Sequence, residues 1–126
     1  MRLKILNKIG FFLLILIGCN SDYPEISFSQ KIIDIGEIKR DTIIDVSFKF
    51  KNIGKEILII KRITTDCHCT VPKDYVKRIE PNRKGEIKIS YHSRGYGYFE
   101  QLISVFSNSQ KNEELLILKG TVIREN

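Results

Sequence analysis

Cys67, His68 and Cys69 follow one another in the stretch Thr64-Thr65-Asp66-Cys67-His68-Cys69-Thr70-Val71-Pro72, and two thiols beside an imidazole support three kinds of chemistry. The first is a structural pair, oxidised or reduced. Residues two apart in a regular strand share a face with Cα atoms about 6.5–7 Å apart, at the edge of disulfide reach. A bridge would therefore need a bulge or a turn, and its small loop would gain little from chain entropy. The second is metal binding, with two thiolates and His68 or His92 as donors to zinc or copper(I). A strand would point His68 away from both sulfurs, His92 falls on the polar side of its own run, and no second cysteine pair completes a four-sulfur site. No metal or other cofactor is expected. The third is thiol–disulfide exchange, with His68 lowering a thiol pKa. The chain has neither a Cys-x-x-Cys at a helix start nor a βαβ pattern to house one.

Other catalytic constellations are missing from the sequence. There is no Gly-x-Ser-x-Gly, no phosphate loop and no His-Glu-x-x-His, and the acids are scattered through turns and polar strand faces. The chain is therefore not expected to be an enzyme or to have a small-molecule substrate. Gly95-Tyr96-Gly97-Tyr98-Phe99 could offer aromatics to a partner, but a hairpin turn with one tyrosine packing back is the simpler expectation.

The third cysteine, Cys19, has a different setting. Arg2, Lys4 and Lys8 precede the apolar run Ile9-Gly-Phe-Phe-Leu-Leu-Ile-Leu-Ile17, which leads into Leu16-Ile17-Gly18-Cys19. The run falls short of the roughly 20 residues that span a bilayer and suits the apolar core of a secretory signal. Leu-Ile-Gly-Cys resembles the lipobox of bacterial lipoproteins. The resemblance implies cleavage before Cys19, a diacylglycerol on its sulfur and an acyl chain on its new amino group. Several chains make a stable anchor where one does not. The expected division is a signal peptide over 1–18, a lipidated tether over 19–25 and a folded domain over 26–124. Asn20 rather than Asp follows Cys19, so the simplest inner-membrane retention signal is absent and an outer-membrane location in the cell envelope is expected.

Period-two alternation runs through the domain. Ile44, Val46, Phe48 and Phe50 alternate with Asp45, Ser47, Lys49 and Lys51, and Ile87, Ile89 and Tyr91 alternate with Lys88, Ser90 and His92. Such runs are half-buried strands of antiparallel sheets. Short strands are expected at Ile26–Phe28 and around Ile33 and Ile35, with Gly36 ending the second. Residues 57–63, apolar on both faces at first, read as a central strand. Residues 72–81 read as a connection with a short strand near 75–79, and strands are expected over 102–106 and 115–123. Turns fall at 39–42, 52–55, 81–85, 93–98 and 107–112, where Gly, Asn, Asp and Ser gather. No stretch after Cys19 keeps a helical period. About seven short strands with regular turns predict an immunoglobulin-like antiparallel β-sandwich. Its core must be Ile, Val, Leu and Phe, since there is no Trp and no widely spaced cysteine pair.

Four pieces carry a resemblance to one family: Asp34-Ile35-Gly36; Phe48-x-Phe50-x-Asn52-x-Gly54; Cys67-x-Cys69-Thr70-Val71-Pro72; and Ile79-x-Pro81-x-x-x-Gly85-x-Ile87. Together they resemble the domain of unknown function 1573, common in bacterial lipoproteins and secreted proteins and akin to the immunoglobulin-like domains of the ASH and major sperm protein group. The resemblance spans about residues 28–123 and implies that fold without an activity. The family usually carries Gly where this chain has His68.

Length and charge agree with one domain of the envelope. The 126 residues carry a formal charge of +6, and removing Arg2, Lys4 and Lys8 from the 21 Lys and Arg leaves 18 against 15 acids, a net of +3. A mild excess spread over many strands and turns argues against a nucleic-acid surface. The expected protein is a lipoprotein held in the bilayer by acylated Cys19, with a non-catalytic binding or structural module that has an envelope protein as its partner. The alternative uses Cys67 and Cys69 in envelope thiol-redox or metal handling.

Overall fold

Alternating apolar residues can be buried on one face only, so two such sheets must close on each other. The computed structural model describes residues 22–125, and the expected signal segment and Cys19 lie outside them. Nine strands are present: β1 (Ile26–Phe28), β2 (Ile32–Lys39), β3 (Ile43–Asn52), β4 (Leu58–Thr65), β5 (Thr70–Tyr75), β6 (Arg78–Ile79), β7 (Lys84–His92), β8 (Gly97–Ser107) and β9 (Glu113–Ile123). One sheet has the order β1-β3-β7-β5, the other β2-β9-β8-β4-β6. The described residues hold no helix. The two-sheet immunoglobulin-like sandwich is thus as expected. The count exceeds seven mainly because β1 and β6 are very short. One pairing departs from the antiparallel rule, for β2 runs parallel to β9.

The inward residues of β3 and β7 are those that the alternation singled out. Phe48, Phe50, Ile87 and Ile89 from the first sheet meet Leu58, Ile60, Ile103, Val105, Leu116 and Leu118 from the second, each 2% exposed or less. Each such side chain contributes about 1.5–3 kcal/mol on burial. Among the described residues the core runs from Ile26 to Val122.

Three local expectations are corrected. Gly36 does not end β2. It takes φ +69°, its N–H donates to Asp34 Oδ1 at 2.9 Å, and the strand resumes after a register shift between Asp34 and Glu37. A bulge of this kind bends a strand without stopping it. The short strand expected near 75–79 is β6 at Arg78–Ile79, but the connection before it is itself a strand, β5, which begins at Thr70 and includes Pro72. A proline is tolerated there because, among the described residues, β5 is an edge strand with no neighbour on one side. The stretch over 57–63 is not central along its length. Only Leu58 and Ile59 of β4 meet β6, and Ile59 faces solvent. The chain's general richness in isoleucine put apolar residues on an outward face, which burial alone would not have done.

Strand directions give the sandwich two ends. The chain enters where β1 starts, β3 ends and β7 starts, with Ile26 opposite Asn52 and Lys51 opposite Lys84. At the other end β7 finishes beside the start of β5, with Tyr91 opposite Thr70, and β8 starts beside the finish of β9, with Gly97 opposite Val122. The cysteines lie there, in the turn between β4 and β5.

Candidate functional site

Thr65 ends β4 and Thr70 starts β5, so the motif that sequence places beside strands is itself a turn. Thr70 N–H donates to Cys67 O at 3.1 Å, and Thr65 Oγ1 donates to Thr70 O at 2.8 Å. These bonds bring the Cα atoms of Cys67 and Cys69 to 5.2 Å, and the two sulfurs form a disulfide. The turn supplies the approach that a regular strand lacks. Cys69 N–H donates to Cys67 Sγ at 3.2 Å.

Two other strands hold the turn in place. His92 N–H donates to Cys69 O at 2.8 Å, and Leu102 N–H donates to Asp66 Oδ1 at 3.3 Å. Cys69 Sγ lies 3.8 Å from Gln101 Oε1, which accepts from Thr70 Oγ1 at 3.3 Å. Both cysteines are half-buried, while His68 is exposed. His92 contributes its backbone to the turn. No group of three or more His, Cys, Asp and Glu is placed to hold a metal among the described residues. In the disulfide neither sulfur is a thiolate, so the chemistry open to the pair is reduction and exchange.

The 95–99 hairpin completes this end and differs from expectation. Gly97 takes φ +99°, and both tyrosines remain exposed. Phe99 is the residue that packs back, stacked on Tyr91 with ring centroids 4.3 Å apart. Burial pushes the Tyr91 hydroxyl above its ordinary pKa. Tyr98 donates to Glu100 at 2.7 Å, which also raises its pKa. Tyr96 lies between two guanidinium groups, Arg40 at 5.4 Å and Arg124 at 4.7 Å from its ring centroid. The disulfide, Tyr91 and this hairpin line a shallow groove of about 320 Å³. Gln101, Arg40 and Arg124 were not singled out in sequence, since they come from three distant segments and belong to no motif.

The entry end is built differently, around Asn52, which is fully buried. Its Nδ2 donates to Glu56 O at 2.8 Å and Ile79 O at 3.1 Å. Its Oδ1 accepts from Gly54 N–H at 3.0 Å and Glu25 N–H at 3.3 Å. Asn52 is therefore not a residue of positive φ in a turn, as its type suggested; those positions are Asp41 and Asn82. Gly54 serves close approach, because a Cβ there would lie 2.1 Å from Tyr23 O.

The sheet orders define an immunoglobulin-like β-sandwich. Comparison with known proteins is consistent with that class. The chain belongs to the DUF1573 family, proteins of unknown function, whose model matches residues 26–122. No curated protein matches it. Among solved structures, a protein of unknown function from Porphyromonas gingivalis W83 superposes with a TM-score of 0.72 at 15% identity, over 82% of this chain and 49% of that one. This chain thus spans about half the length of that protein. The seventh PapD-like domain of human CEP192, an ASH / PapD-like domain, gives 0.66 at 14% identity over 85% and 89% of the two chains. The YadV chaperone gives 0.59 at 15% identity over 80% and 54%. At these identities the likeness is one of fold.

Proposed function

We propose that the protein is a lipoprotein of the bacterial cell envelope, anchored through Cys19, whose sandwich binds another envelope protein without catalysing a reaction. The observation that carries the binding role is β2. Six of its eight residues pair with β9 on one side, and among the described residues no strand lies on the other. An unpaired edge of this length can accept an extended segment as a further strand, with backbone hydrogen bonds supplying affinity and alternate side chains supplying selectivity. Ile32, exposed on this strand, would contact such a segment.

A photo-crosslinking amino acid at Ile32 in the full-length protein tests this reading in cells. The expected result is one discrete adduct that is absent when the same group replaces Ser47 on the outer face of the other sheet. No adduct at Ile32, or equal adducts at both, would overturn it. For the anchor, Cys19→Ala should move the protein from the membrane to the soluble fraction, and the mature wild-type mass should include the acyl groups.

The disulfide favours a second reading, thiol exchange with a protein dithiol. Two electrons and two protons would pass to Cys67 and Cys69, leaving the donor as a disulfide. Intact masses of a soluble form with and without reductant, followed by titration against a dithiol buffer, would measure it. A bond that stays closed across the range of envelope dithiols would remove this reading.

A further inference from the structure

Lys51 on β3 stands directly opposite Lys84 on β7, and Ser27 on β1 stands opposite Lys51. All three share the outer face of the first sheet at the entry end. Lys49 shares this face one pair further along, opposite Glu86. Like charges directly opposite destabilise a sheet, so the Lys51–Lys84 pair costs the free domain stability. The only acid opposite them is drawn off, since Glu86 lies 3.7 Å from Lys88. Lys49, Lys51 and Lys84 take part in no ion pair among the described residues.

These lysines border an open depression of about 620 Å³ whose lining also includes Phe28, Phe50, Ile53 and Val76. Ile53 and Val76 are large aliphatic side chains, yet 49% and 59% exposed. Lysines around exposed aliphatic residues suit a boundary between water and lipid, where the stems lie on apolar ground and the ammonium groups meet anions. The location adds to the chemistry. Ile53 N–H donates to Glu25 O at 2.8 Å, so the patch adjoins the point where the chain enters the fold. Tyr23 O accepts from Lys55 N–H at 3.1 Å, so the free stretch from Cys19 to Tyr23 reaches at most about 14 Å when extended.

We propose that this face docks on the anionic phospholipid headgroups of the membrane that holds the anchor. The inference rests on the lipid-anchor reading above. Phosphate oxygens between Lys51 and Lys84 would turn a repulsive pair into a bound one, while Ile53 and Val76 enter the headgroup boundary. The sandwich would then lie on the bilayer with its cysteine end turned away from the lipid.

The test uses residues 20–126, a soluble form that retains the whole core. It is sedimented with vesicles of phosphatidylcholine alone and of phosphatidylcholine mixed with phosphatidylglycerol. Binding is expected only with the anionic lipid, and it should fall as salt shortens the Debye length from about 10 Å at 0.1 M to about 3 Å at 1 M. Lys49→Gln, Lys51→Gln and Lys84→Gln should each lower the partition coefficient about five-fold. Lys84→Glu separates docking from structure: it should raise the thermal midpoint of the free domain while lowering its partition further. Arg124→Gln, at the opposite end, should bind like the wild type. Equal binding to both vesicles, binding to neither, unchanged partition in the lysine variants, or an equal loss in Arg124→Gln would overturn the proposal. Because this form lacks Cys19, a failed anchor would leave the vesicle result standing, and the Cys19→Ala fractionation scores the anchor separately.

Discussion

The two ends of the sandwich are held by different means. At the entry end one buried amide, that of Asn52, satisfies four backbone groups from separate segments. At the cysteine end a covalent bond fixes the β4–β5 turn, and a ring stack and two guanidinium contacts cover the rest. The first arrangement fails as a unit, because one side chain serves all four backbone groups and the Ile79 carbonyl among them is buried. The second is a set of separable contacts near solvent. The entry end should therefore be brittle and the cysteine end tolerant.

Asn52→Ala is the strongest way to break this contrast. It should cost about 3–4 kcal/mol, because the buried Ile79 carbonyl is left unpaired and three half-buried backbone groups lose their partner at the same time. Chemical denaturation of the soluble domain measures the loss, and a loss under 1 kcal/mol would make the two ends alike. Ser93→Ala comes next. Ser93 is a buried polar hub at the cysteine end, donating to Lys39 O at 2.7 Å and accepting from Thr42 N–H at 2.9 Å. A cost of about 1–2 kcal/mol is expected.

Replacing both Cys67 and Cys69 with Ser should cost about 1–2 kcal/mol, the chain-entropy value for so small a loop. A larger loss would mean that the turn depends on the bridge and not on Thr65 and Thr70. The smallest effect is expected for Glu125→Gln. The hydrogen bond from Lys39 and its charge hold the Glu125 carboxyl below its ordinary range. The pair's stabilisation is therefore present above the ordinary glutamate pKa and is lost as pH falls through the lowered value. Both groups are solvent-exposed, so wild type and variant should show nearly the same thermal midpoint at neutral pH and at acid pH.

The β3 and β7 strands were legible because each repeats every second residue and has one buried face. The bulge at Gly36 was not, since a glycine marks where a chain can bend but not whether pairing resumes beyond it. Asn52 shows the same limit: a polar residue beside a glycine looks like turn chemistry until strand β6 closes over it. Cys67 and Cys69 were visible as a pair with several chemistries open. The turn that joins them depends on a hydrogen bond between Thr65 and Thr70, whose residue types do not announce it, and on the backbone of His92, which lies outside the motif. The basic residues looked scattered because Lys51 and Lys84 are far apart in the chain, and only the β3–β7 register makes them neighbours.

The parallel pairing of β2 with β9 bears on how the protein folds. β9 lies between β2 and β8 and supplies Leu116 and Leu118 to the core. The second sheet therefore stays split until the last strand is available, whatever has already formed upstream. Contacts between the start and finish of a chain are slow to form, because a long loop must close before any pairing is gained. A nascent chain that still lacks β9 would leave β2 and β8 as open edges, and only β9 joins the two parts of that sheet.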